Sequence, residues 1–185
     1  MFNKISAWFY RNARGWLVLI LLPVDLLFAG VLFPLIQGMI QDDTGGIQPL
    51  DLMIFSSPDK LFDMVSRYGD YNRHFYRNVE LTVDIIYPLV YLFFFGFLMS
   101  WLLQRGARPE SNLRKFNLLP LGAWFFDLLE NLSIVSLIAL YPSRPITLAW
   151  GLIAFIHLKW LFACGSILMI ILGFVLSMKN KFVRQ

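Results

Sequence analysis

The chain is predicted to be an all-α integral membrane protein: a four-helix bundle with a short amphipathic helix in its first extracytoplasmic loop. Composition and segment length carry that expectation. Of 185 residues, 58% are hydrophobic, 17% aromatic and only 15% charged, whereas a soluble domain is about 45–50% apolar and about 25% charged. Four apolar runs, residues 16–40, 81–103, 118–141 and 146–178, reach the roughly 20 residues a helix needs to cross hydrocarbon. They are continuous rather than alternating, which excludes β-barrel patterning. No internal repeat or low-complexity stretch interrupts residues 1–185, which read as a single membrane domain with an outer loop at 41–80.

Residues 2–14 place Phe2, Ile5 and Phe9 at helical spacing among basic groups, with Trp8 and Tyr10 suited to headgroup depth. An interfacial helix follows. Span one carries Pro23, Asp25, Gly30 and Pro34, so it should kink, with neighbours satisfying the freed backbone groups. It is too long and too interrupted for a cleavable signal and has no small-x-small cleavage site. In the outer loop, residues 42–46 read as a turn. Ser57 and Pro58 suit a helix start, Leu61, Phe62, Val65 and Tyr68 share one face, and Gly69 can end the helix. Residues 70–80 are expected to run straight into span two. The single Cys164 has no disulfide partner and reads as a small buried hydrophobe.

Lys4, Arg11, Arg14, Arg105, Arg108, Arg114, Lys115, Lys179, Lys181 and Arg184 flank the spans on one side. Lys60, Arg67, Arg73, Arg77 and Arg144 lie on the other. Ten against five predicts cytoplasmic N and C termini, as in a bacterial inner membrane protein. The basic excess is explained by this sidedness and implies no nucleic acid partner.

Chemistry concentrates in span three, at Asp127-Leu128-Leu129-Glu130-Asn131. Ionisable groups near a bilayer centre cost about 2.5–3.5 kcal/mol each and therefore face protein or water. At about 100° per residue, Asn131 lies about 40° to one side of Asp127 and Glu130 about 60° to the other. All three share one sector. Asp25 lies mid-span one; Glu80 and Asp84 share a face at the outer end of span two, with Tyr87 and Tyr91 below; His157 and Lys159 lie in span four. The last two point to nearly opposite sides, so one of them enters a common pocket. With four acids and so few positive partners, at least one of Asp25, Asp84, Asp127 and Glu130 is expected to hold a proton, since burial and neighbouring carboxylates both oppose ionisation. Such a group can donate a hydrogen bond to a ligand or exchange a proton in catalysis.

Each assignment has a plainer counterpart. Asp127, Glu130 and Asn131 can simply bond neighbouring helices together. Asp25 can pair with Lys159 or bond backbone freed by Pro23. Glu80 and Asp84 suit the positive end of a helix dipole. Lys159 either joins the acids or snorkels to the interface, and His157 can be a hydrogen-bonded bundle histidine. The Glu-x-x-His spacing of helical carboxylate metal sites is missing, so neither a metal nor another cofactor is expected. Asn131-Leu132-Ser133 matches a glycosylation sequon but lies at membrane depth.

The stretch Glu80-Leu81-Thr82-Val83-Asp84-Ile85-Ile86-Tyr87-Pro88-Leu89-Val90-Tyr91, together with Asp127-Leu128-Leu129-Glu130-Asn131, resembles a group of small bacterial four-span membrane proteins, a likeness that implies no activity. A more distant resemblance is to the EXPERA superfamily of sterol Δ8–Δ7 isomerases and sigma-2 receptor proteins, with Asp25 and Glu80 at that superfamily's acidic positions. The span-three Asp-x-x-Glu-Asn pattern departs from the sigma-2 type. The resemblance implies an amphipathic ligand entering from lipid, with carboxylates holding a cationic group or shuttling a proton. Asp127 and Glu130 then form the proton-exchanging pair, and Asp25, Glu80, Asp84, Tyr87, Tyr91, Asn131, His157 and Lys159 are the candidate ligand contacts. Besides membrane lipids and such a small molecule, the expected partners are a second copy or a larger membrane complex in which the chain is a structural accessory subunit. Four spans without an inverted repeat argue against transport by a single chain.

Overall fold

The computed structural model describes residues 1–40 and 47–183, and the expected turn at 42–46 lies outside them. The chain is 85% helical, with no strand among the described residues. Its helices are α1 (Phe2–Asn12), α2 (Gly15–Leu27), α3 (Phe33–Gly38), α4 (Pro58–Arg67), α5 (Gly69–Leu81), α6 (Val83–Gly106), α7 (Leu119–Ala139) and α8 (Ile146–Val183). A π-helical turn, Phe28–Leu32, joins α2 to α3. Four helical stretches are long and apolar enough to cross a membrane: Gly15–Gly38, Gly69–Gly106, Asn112–Ala139 and Ile146–Asn180. The protein is an integral membrane α-helical bundle.

Proline placement explains the irregular first span. Pro34 cannot donate to Gly30, and the wider turn just before it lets Phe33 bond Phe28 O instead. α5 and α6 meet at Thr82, whose backbone leaves helical geometry and whose Oγ1 donates to Asn78 O at 2.6 Å.

Packing falls into two compact units. The first comprises Met1–Asp25, Leu89–Trp124 and Trp160–Gln185. Here α1 inserts Phe9, 3% exposed, against Gly96, where a Cβ would lie 2.5 Å from the ring. Trp8, Phe93 and Phe97 surround that ring. Buried Asn117 ties α1 to α6: it accepts from Ser6 Oγ (2.7 Å) and donates to Ser100 Oγ (3.0 Å). At the end of α6, Asn180 Nδ2 donates to the carbonyls of Arg105 and Gly106. Cys164 is exposed on α8, not buried as its type suggests; a small thiol facing lipid leaves no hydrogen bond unmade.

The second unit comprises Leu26–Pro88 and Phe125–Lys159. Its core joins Leu61, Phe62, Met64 and Val65 of α4 to Ile134, Leu137 and Ile138 of α7 and to Ala149, Leu152, Ile153 and Ile156 of α8. The amphipathic loop helix is therefore present, and its apolar face is buried. Ser57 occupies the N-cap position without a side-chain cap bond, and Pro58 takes the first turn. Gly69, at φ 65°, turns the chain from α4 into α5, a conformation that favours glycine. Arg73 holds the corner, donating to Val65 O (3.2 Å) and lying 4.0 Å over the Tyr141 ring.

Candidate functional site

Among the described residues, the second unit gathers most of the buried polar side chains. Asp127, Glu130 and Asn131 share one sector of α7, as their spacing requires, and are 5%, 0% and 3% exposed. From α8, Lys159 Nζ reaches Glu130 Oε1 at 2.8 Å and Asp127 Oδ1 at 3.5 Å. Its side chain is only 15% exposed, so it joins the acids instead of snorkelling. Two residues away, His157 is exposed; its Nδ1 lies 2.7 Å from Ile153 O and its ring meets Phe55 edge-on. Of the two, the lysine is the one that meets the acids of α7.

Span two supplies the facing groups. Pro88 lacks an amide hydrogen, which leaves the Asp84 carbonyl without its helical donor. Asn131 Nδ2 donates to that carbonyl at 2.6 Å. Glu80 is 1% exposed. Electrostatic interaction links it to Asp84, Asp51 and Glu130, and links Asp84 to Asp127 and Lys159. Tyr87 stacks on Phe28 with centroids 5.5 Å apart and meets Phe33 edge-on at 5.1 Å. Asp25 and Tyr91 belong to the first unit, where both are buried. Asp25 Oδ1 has no hydrogen-bond partner, and Tyr91 lies beside Phe95.

Sequence reading missed the outer-loop contribution. Asp51, in a short turn at Leu50–Leu52, accepts from Tyr76 Oη at 2.8 Å, while Tyr76 Oη accepts from Leu50 N–H. Tyr68 Oη donates to Gln48 O at 2.7 Å. Burial, reinforced by the charges of Asp51 and Glu80, holds the Tyr68 hydroxyl well above the usual tyrosine range. It therefore stays a neutral donor. The available signal was a pair of tyrosines eight residues apart facing a loop acid.

Several acceptors in this cluster receive no hydrogen bond of ordinary geometry: both carboxylate oxygens of Glu80, Oε2 of Glu130 and Oδ1 of Asn131. Chemically, the arrangement offers several acceptors and one ammonium already shared between two acids. Among the described residues, no three His, Cys, Asp or Glu side chains group closely enough to hold a metal ion. No protein-family model, curated protein or solved structure matches the chain.

Proposed function

We propose that the chain binds a lipid-like or amphipathic small molecule at the buried carboxylate cluster, its polar head donating to Glu80 and Glu130. In this reading it lies in a bacterial inner membrane with both termini cytoplasmic, and the cluster opens toward the outer half of the bilayer. One observation carries the proposal: Glu80, 1% exposed, accepts no hydrogen bond of ordinary geometry on either oxygen, because the neighbouring Tyr76 hydroxyl donates to Asp51 instead. A network serving only to hold helices together would satisfy its members, because each orphaned buried group costs about 1–3 kcal/mol. Charge points the same way. Glu80, Asp84, Asp127 and Glu130 stand against the single ammonium of Lys159, which favours a head that brings positive charge or mobile protons. The narrower version is isomerase-like, with Asp127 and Glu130 as the proton-exchanging pair and Asn131 orienting. The EXPERA resemblance supplies that chemistry.

A photoreactive long-chain alkylamine, with the alcohol of equal chain length as control, tests the binding reading on purified protein in mild detergent. Saturable labelling by the amine is expected, weakened roughly tenfold or more by Glu80→Gln, since a hydrogen bond to a charged group contributes about 1.5–3 kcal/mol. The same substitution should leave the unfolding midpoint unchanged or higher, because it removes an unpartnered buried carboxylate. Labelling indifferent to both Glu80→Gln and Glu130→Gln, with both variants unfolding more easily, would identify a packing network and sink the proposal. Recovery of the chain solely within a larger assembly would favour the accessory-subunit reading.

A further inference from the structure

We infer a second binding site, in the first unit, that receives the phosphate of a phospholipid headgroup between α1 and the segment leading into α7. An open depression of about 440 Å³ lies there, lined by Ser6 and Tyr10 of α1 and by Glu110, Asn112, Arg114 and Lys115. Its wall offers the Arg114 guanidinium, the Lys115 ammonium and the Asn112 amide as donors, while the hydroxyls of Ser6 and Tyr10 already donate to Asn117 and to the Arg114 carbonyl. The guanidinium is set in place by the fold. Arg114 lies 4.4 Å over the Tyr10 ring, and Tyr10 Oη donates to the Arg114 carbonyl at 2.5 Å. Neither cation is neutralised: among the described residues Arg114 forms no ion pair, and Lys115 Nζ donates to the uncharged Asn112 Oδ1 at 3.0 Å. Glu110 is the lone acid in the lining.

A planar guanidinium fork beside a mobile ammonium suits tetrahedral phosphate, which takes paired hydrogen bonds from the first and a point charge from the second. Pinning Arg114 before the ligand arrives lowers the ordering cost of binding. Either a lipid or free phosphate carries that group. The lipid source is favoured by α1, which carries the lining residues on one face and leaves Phe2 and Trp8 exposed, 61% and 39%, on others. An apolar helix face at headgroup depth places lipid phosphates within reach. This chemistry is opposite in sign to that of the acidic cluster, and the two sites can fail independently.

Native mass spectrometry of the full chain, released from detergent with phosphatidylglycerol or with diacylglycerol of the same acyl chains, reads the site directly. Phosphatidylglycerol adducts should saturate and exceed those of diacylglycerol. Lys115→Gln and Arg114→Gln should each weaken them by roughly five- to tenfold or more, as loss of a charge-assisted contact requires. Glu110→Gln should strengthen them by roughly two- to fivefold, the size of an exposed charge effect. Lys115 is exposed, so its variant tests the site even where Arg114→Gln fails to fold. Equal adducts for the two lipids, or adducts unchanged in Lys115→Gln, would overturn the site. Displacement by millimolar inorganic phosphate would overturn the lipid assignment in favour of the free anion.

Discussion

Pro88 removes one backbone donor from α6, and Asn131 replaces it across 47 residues of sequence at the Asp84 carbonyl. In a bilayer no water can take over that carbonyl, so the pair should behave as one unit. Asn131→Ala should cost about 1–3 kcal/mol by leaving the carbonyl orphaned. In a Pro88→Ala background the restored N–H can serve it, and the cost of Asn131→Ala should fall below about 1 kcal/mol. Equal costs in both backgrounds, measured by denaturant titration in detergent micelles, would count against this assignment. The sequence placed Asn131 in the right sector of α7 but did not reveal its partner. A proline within a span does announce an orphaned carbonyl four residues earlier, and an amide at similar depth is a candidate to meet it. Lys159 was less legible. Bracketing an apolar run is equally compatible with snorkelling and with burial, and only its contact with Glu130, 29 residues away, separates them.

Helix boundaries show a different limit. Hydropathy located all four spans but marked only their apolar stretches. The second apolar run is 81–103, and the helical stretch covers Gly69–Gly106, taking in the Tyr, Arg and Asn-rich residues 70–80 expected to run into span two. Helix formation does not stop where lipid contact stops. α1 was legible as a helix, but the depth of Phe9 was not, because the space for it is provided by Gly96 of another helix. Gly96→Val should therefore cost about 1–3 kcal/mol by crowding that ring, and Phe9→Ala in the same chain should recover part of the loss. Thermal unfolding, with limited proteolysis of α1 as a second readout, checks both. Strictly additive losses would mean that the two side chains do not compete for one space.

Burial is distributed unevenly over the whole molecule. In their most apolar stretches the second and third spans are 44% buried each, the first only 6% and the fourth 11%. Exposed Leu19, Leu26, Leu161 and Leu168 belong to those last two spans. Such surfaces require lipid or another apolar partner, since soluble monomers rarely expose contiguous apolar patches beyond a few hundred Å². A carbene-generating label dissolved in the bilayer should therefore modify Leu19 and Leu168 while sparing Leu103, Ile134 and Leu152, each 0% exposed. Protection of Leu19 in the native membrane but not in dilute detergent would show that another chain covers the first span. Amino-acid composition declares the membrane class at once, and the spans' unequal hydropathy already grades burial among them, since the less apolar second and third spans are the more buried ones. That grading depends on which helices carry the small and polar side chains that make contact.

The ammonium of Lys159 is held by two carboxylates within a stretch long enough to cross the bilayer. A unit charge carried through the full transmembrane field changes energy by about 2.3 kcal/mol per 100 mV. Any event that displaces this ammonium, or trades it for another positive species, moves charge along part of that field. On the proposed binding reading, the energised state of the membrane becomes a variable acting on the occupancy of the cluster.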